Sequence, residues 1–305
     1  MSRDDVEVVS NDAGHLLALR TFPWLAQLNV HDLAELSTIF DERLIRRRTE
    51  MVRPGRPVPA VYFILDGRVQ VRRAGREEVV SQGPIGFLEL LVGEPQELAA
   101  VAVTEVVALV ANPDGIQDLI EENFGILSDG LASLAGDLLT RAAACDDDAW
   151  LRAPAKPLTV AGSGPLDVAE KMIQLSGAVL LSGSRLEAAA ELARIAVDVR
   201  LAQGQPMWRR DDAGPDFWLI LDGEVELTTA RGERLRAGPG HELGAIEALA
   251  KAPRWYDAVA AKPVRALRLP VADLLDVIED QRDVGMLLMR ELAVEILRLD
   301  DSRAA

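Results

Sequence analysis

Chemistry on a substrate needs a thiol, hydroxyl, imidazole or carboxylate set beside a partner that activates it. This sequence offers few such placements. The one cysteine, Cys145, is followed by Asp146, Asp147 and Asp148. Neighbouring carboxylates raise a thiol pKa, so the sulfur is read as incidental, and it can form no internal disulfide. His15, His31 and His241 stand far apart, with no cysteine or carboxylate pattern at metal-ligand spacing, so no metal is expected. There is no Walker loop, no nucleophile elbow and no His/Cys/Asp set at useful spacing. The chain therefore reads as a non-enzyme, with no cofactor expected. Basic residues cluster at Arg46-Arg47-Arg48 and Arg72-Arg73, but 49 acidic against 33 basic residues give a net charge of -16. Such a surface repels a polyphosphate backbone, which weighs against nucleic acid as a partner.

The elements around these residues come from a repeat. Tyr62-Phe63-Ile64-Leu65-Asp66-Gly67 and Trp218-Leu219-Ile220-Leu221-Asp222-Gly223 share Ile-Leu-Asp-Gly 156 residues apart. Further along, Gly86, Glu89, Leu91 and Pro95 match Gly244, Glu247, Leu249 and Pro253, and Ile120-Glu121 matches Ile278-Glu279, now 158 residues apart. One register held over about 35 residues is hard to obtain without duplication. In each copy an apolar periodic stretch (Leu25, Leu28, Leu33, Leu36; Leu180, Leu186, Leu192, Ile195) predicts helices, and short β-rich runs follow. Asp66-Gly67 and Asp222-Gly223 read as hairpin turns. Helical spacing returns at Ile116, Leu119, Ile120, Leu127, Leu131, Leu134 and Leu138, and at Leu274, Ile278, Leu288, Leu292, Ile296 and Leu299. Between the copies, residues 151–165 have the Pro and Gly density of a linker. With 49% hydrophobic residues each copy can bury a core. No run approaches the roughly 20 apolar residues of a membrane span. The charged start Met1-Ser2-Arg3-Asp4-Asp5 lacks an apolar segment behind it, so a cytoplasmic location is expected.

The second copy, from Gly204 to Gly223 (GQPMWRRDDAGPDFWLILDG), resembles the glycine-punctuated block of the cyclic-nucleotide-binding domain family, as found in catabolite-activator-type regulators, kinase regulatory subunits and gated channels. Gly55 and Ile64-Leu65-Asp66-Gly67 stand at the corresponding places of the first copy. The resemblance implies an α+β fold of two tandem β-barrel (jelly-roll) domains, each flanked by N- and C-terminal helices: residues 1–150, a linker at 151–165, and residues 166–305. It also implies a phosphate-binding cassette similar to Phe-Gly-Glu-(apolar)-Ala-Leu…Pro-Arg-x-Ala-(Thr/Ser)-Val. There the glycine permits a short helix whose N–H groups cradle the phosphate, the arginine pairs with its oxygens and the glutamate accepts from the ribose 2′-hydroxyl.

Set against that cassette, the first copy keeps Gly86 but has Phe87 at the glutamate position and Gln96, followed by Glu97, at the arginine position. It is expected to bind no nucleotide. The second keeps Gly244 and Pro253-Arg254, has Ala245 for the glutamate, and continues into Trp255-Tyr256-Asp257. Arg254 would anchor an anion there, and Arg254→Ala would then abolish binding with the fold intact. Trp255 and Tyr256 read either as a plug or as a platform for a base, the plug being favoured because it avoids a void. Glu89 and Glu247, two residues past the family's glutamate, read either as replacements for the missing ribose contact, which makes Glu247 a candidate ligand residue, or as solvent-facing, the second being expected.

The reading of function is a non-enzymatic regulatory or scaffold protein acting through protein contacts, the alternative being a sensor that binds a cyclic nucleotide or related phosphate in the second domain. In catabolite-activator-type regulators a helix-turn-helix follows the last helix, but this sequence stops at Ser302-Arg303-Ala304-Ala305, so no DNA reader is expected. The last helix carries apolar residues around more of its circumference than one barrel covers, which predicts a protein partner or a homodimer through Leu288, Leu292 and Ile296, or packing against the first domain.

Overall fold

The computed structural model describes residues 6–9, 19, 30–73, 75–145, 150–151, 164–178 and 186–302. His15, Leu25, Leu28, Leu180, Asp146 to Asp148 and most of the expected linker lie outside the described residues. Two compact units result. The first comprises residues 1–130 and 293–305, and the second residues 131–292.

In the first unit the order is β1 (Val6–Val9), α1 (Val30–Ser37), β2 (Phe40–Ile45), β3 (Glu50–Val52), β4 (Val61–Asp66), β5 (Val69–Arg73), β6 (Arg76–Val80), β7 (Gly83–Ile85), α2 (Phe87–Val92), β8 (Leu98–Ala102), β9 (Val106–Ala111) and α3 (Pro113–Glu122), with α4 (Phe124–Ala143) beginning here. In the second come α5 (Val168–Leu175), α6 (Leu186–Ile195), β10 (Val197–Leu201), β11 (Pro206–Trp208), β12 (Asp216–Asp222), β13 (Val225–Thr229), β14 (Arg234–Ala237), β15 (Glu242–Leu243), α7 (Ala245–Leu249), β16 (Tyr256–Ala260), β17 (Val264–Pro270) and α8 (Val271–Asp280), with α9 (Arg282–Ser302) beginning here. The ends of the two long helices are exchanged: α4 finishes in the second unit and α9 in the first. The repeat expected at 1–150 and 166–305 follows strand order, whereas the units follow packing.

The repeat is visible in the sheets. The first unit pairs its strands antiparallel in the orders β1-β2-β9-β4-β7 and β3-β8-β5-β6, and the second in the orders β10-β17-β12-β15 and β11-β16-β13-β14. Apart from β1 the two sets correspond strand for strand, down to a bulge between Ile64 and Asp66 that recurs between Ile220 and Asp222. Each unit is thus a pair of antiparallel sheets in jelly-roll-like order sharing one core. In the first unit Tyr62, Ile64, Val106, Ala108 and Val110 of one sheet meet Val69, Val71, Leu98 and Ala100 of the other. The second repeats this with Trp218, Ile220, Ala266, Val225, Leu227 and Ala258. Strands β4 and β12 read as unbroken apolar runs because both their faces are buried. Strand β5 alternates buried and exposed, as a strand with one wet face does.

One expectation is corrected. Asp66-Gly67 and Asp222-Gly223 are not hairpin turns, since β4 pairs with β7 and β9 while β5 pairs with β6 and β8. Each glycine instead marks a corner where the chain leaves one sheet for the other. Gly223 has φ 88°, and a Cβ there would run into the carbonyl of Pro263; at Gly67 it would run into the carbonyl of Glu105. The corner demands the missing side chain, and the turn-like sequence is the same for both jobs.

Two measurements follow. Gly223→Ala meets both the left-handed backbone and the Pro263 carbonyl, and should lower stability by about 1–3 kcal/mol in urea denaturation. Tyr62 donates to the Met51 carbonyl at 3.2 Å, and burial, opposed by Arg43, pushes its pKa up from 10.0 to about 12. The folded state therefore holds this proton after the unfolded chain has released it, so stability present below pH 10 is lost as pH rises toward 12. Circular dichroism in urea should show that loss, with a shallower slope in Tyr62→Phe.

Candidate functional site

In both units β7 or β15 leads through a glycine with positive φ into a short helix, and the chain then returns along β8 or β16. Gly86 (φ 89°) starts α2 and Gly244 (φ 79°) starts α7. What fills the space beneath each glycine differs, and that difference defines the two sites.

In the second unit the space holds the guanidinium of Arg254. The residue is 2% exposed. Its Nη1 donates to the Gly244 carbonyl at 2.7 Å, its Nη2 donates to the carbonyl of Asp216, and its Cζ lies 4.4 Å from the centre of the Trp208 ring. A Cβ on Gly244 or on Gly214 would overlap the guanidinium itself, so both positions must lack one. Glu247, 2% exposed, brings Oε2 to 3.9 Å from Nη1. Burial holds the Glu247 carboxyl above the usual range, with Arg254 opposing the shift. Nε of Arg254 and Oε1 of Glu247 are buried without a hydrogen-bond partner.

Rings enclose this pair. Tyr256 is 2% exposed, and burial, reinforced by Glu247, pushes its hydroxyl well above 10.0. Trp208 donates from Nε1 to the Tyr256 carbonyl at 3.1 Å. Trp255, half-buried, packs edge-on to Trp150 with ring centres 4.6 Å apart, and Trp150 lies 5.2 Å from Tyr256. Ala245 is buried at the start of α7, where it offers only a methyl group.

In the first unit the same space is apolar. Val58, at the place of Gly214 in the repeat, sits so that its Cγ1 would be 2.7 Å from a Cβ on Gly86. Phe87 is buried, and Gln96 lies at the edge, its amide donating to the Glu94 carbonyl at 3.2 Å. Glu89 is 3% exposed and its cation comes from another strand: Arg73, at the end of β5, donates to Oε1 from Nη2 at 2.6 Å and from Nε at 2.9 Å. Asp300 of α9 lies 3.8 Å from the same guanidinium. Oε2 of Glu89 has no partner.

Three expectations change here. Glu89 and Glu247 do not face solvent: both are buried, because each short helix turns this position inward onto an arginine. Arg254 belongs to the core of its unit, so its removal cannot be silent for the fold. Leu288, Leu292 and Ile296 are at most 1% exposed within the single chain, which leaves them no surface for a second molecule. The apolar circumference of α9 is real, but the chain covers it. Val58, Gly214, Trp208 and Trp150 were not singled out from the sequence, and Arg73 was noted only as part of a basic cluster; comparing Val58 with Gly214 across the repeat carries the signal for two of them.

Among the described residues, no group of three or more His, Cys, Asp or Glu is arranged to hold a metal, and no helix is long and apolar enough to cross a membrane. Cys145 is buried, its Sγ 3.4 Å from the Arg141 carbonyl.

Residues 198–281, which carry the Gly244 helix and Arg254, match the family model described as cyclic nucleotide-binding domain. The chain thus carries a domain of that family in its second half. Similar solved structures include the regulatory subunit of a cAMP-independent protein kinase A from Trypanosoma cruzi bound to guanosine (18% identity, covering 92% of this chain and 91% of that one, TM-score 0.34). They also include the regulatory domain of Toxoplasma gondii PKA with cAMP (15% identity, 89% and 96%, TM-score 0.33) and the N-terminal domain of a transcriptional regulator from Streptomyces coelicolor A3(2) (26% identity, 43% and 96%, TM-score 0.38). No curated protein matches the chain.

Breaking a buried pair from one side leaves an uncompensated charge, whereas replacing both members with apolar groups removes the need for either. Arg254→Ala should therefore cost about 3–5 kcal/mol in urea denaturation followed by tryptophan fluorescence, and Arg254→Met combined with Glu247→Leu should recover most of that loss.

Proposed function

We propose that this protein is a non-enzymatic, cytoplasmic regulatory module that works through contacts with protein partners, its first cassette binding no nucleotide and its second closed by its own side chains. The observation that carries this reading is the placement of Arg254. The family resemblance gives that arginine to a ligand phosphate, and here both terminal nitrogens are spent on the carbonyls of Gly244 and Asp216, behind a wall of Trp208, Tyr256, Trp255 and Trp150. The rings serve as a plug in this reading. In the first unit Val58 and Phe87 leave the cassette without a charge for phosphate, and Arg73 is already paired with Glu89. Partner contacts then fall on exposed surface rather than on Leu288, Leu292 and Ile296.

A second reading is favoured by one detail. Nε of Arg254 is buried without an acceptor, which is the position of a donor waiting for one. In that reading the second domain is a sensor for a cyclic nucleotide or related phosphate, which enters when the aromatic wall opens.

Thermal unfolding of the full chain separates the two. A ligand at 100 times its dissociation constant stabilises by about 2.7 kcal/mol, a shift of several degrees for units of this size. Cyclic AMP, cyclic GMP and cyclic dinucleotides are expected to produce none. A saturable shift that disappears in Arg254→Gln would establish the sensor instead.

A further inference from the structure

The two cassettes share a feature that the cyclic-nucleotide pattern does not ask for. Three residues after each glycine stands a glutamate, in Gly86-Phe87-Leu88-Glu89 and Gly244-Ala245-Ile246-Glu247, and each is at least 97% buried. A buried carboxylate is costly unless a cation answers it. Each has one, from a different part of the fold. In the second unit it is Arg254 of the cassette, and in the first it is Arg73 of β5, with Gln96 standing where Arg254 would be. Thr229 occupies the place of Arg73 on β13, opposite Tyr256 as Arg73 is opposite Leu98. The carboxylate is thus the constant and the arginine the variable.

We infer that Glu247 is the built-in anion of the second pocket: it answers Arg254 from within and so denies the site to phosphate-bearing ligands. The inference rests on the reading that this pocket is closed, and it names the residue that closes it electrostatically. Two facts point the same way. The carboxylate approaches Arg254 from α7, the element that in the family resemblance cradles the phosphate. No other acidic side chain forms an ion pair with Arg254 among the described residues. An anion entering this site would meet Arg254, but also the Glu247 carboxyl a few ångströms away, and in its ionised form that group repels the anion and offsets what the arginine offers.

Removing the charge while keeping the shape tests this. Glu247→Gln leaves Arg254 in place without its counter-charge, and cyclic AMP and inorganic pyrophosphate are the probes, read by thermal unfolding of the full chain. The wild-type protein should show no saturable shift with either. Glu247→Gln should gain a saturable rise of about 5 °C or more, absent from Glu247→Asp, which keeps the charge, and from Glu247→Gln combined with Arg254→Gln, which removes the cation. The last variant also corrects for the general stabilisation that multivalent anions give any protein. If Glu247→Gln lacks a folded transition in chloride buffer, pyrophosphate should restore one. A Glu247→Gln protein that stays blind to both probes, or whose fold pyrophosphate fails to restore, overturns the inference. Binding of cyclic AMP by the wild type would instead overturn the reading of a closed pocket, so the two failures are told apart.

Discussion

A guanidinium taken out of water must be answered from inside the molecule, and in the second unit much of the local sequence is fixed by that demand. Arg254 needs acceptors, and finds them in two main-chain carbonyls that no change of side chain can remove. It needs room, which is why Gly214 and Gly244 carry no Cβ. It needs a counter-charge and a polarisable face, supplied by Glu247 and by Trp208. The aromatic rings that follow keep water out, and by doing so make every one of these interactions stronger. No single residue in the group is free to change alone.

The first unit shows the same fold released from that demand. With Gln96 in place of the arginine there is no cation to house, and the space beneath the glycine is given to Val58, a side chain that could not coexist with a guanidinium there. Only the buried carboxylate is retained, and it draws its cation from β5 instead. The two units are thus related by a coordinated exchange of side chains on one set of strands. That is what packing at near-crystalline density requires when one large buried group is gained or lost.

Much of the architecture was legible in the sequence because the repeat shows the order of helix, β-rich runs and helix twice over. The helices after each set of strands were legible from their apolar spacing. The sheet corners at Gly67 and Gly223 were misread as hairpins, since an Asp-Gly pair between apolar strands carries no mark of which sheet the next strand joins. Of the site, the glycines and Arg254 were found. The burial of Glu89 and Glu247 was not, because a glutamate on a short helix gives no sign of its direction until its cation is located, and Arg73 lies on a distant strand. The fate of Leu288, Leu292 and Ile296 was hidden for a related reason: periodicity reports that a helix face will be covered and is silent on what covers it.

The exchange of helix ends has a consequence for how the protein is made. Residues 293–305 belong to the first unit, where Asp300 lies beside Arg73. A ribosome adding about 5–20 residues per second delivers the strands of that unit on the order of ten to thirty seconds before this segment exists. The second unit is whole once residue 292 has emerged, so the half of the protein that is synthesised first is the half that is finished last. The order of completion thus runs against the order of translation.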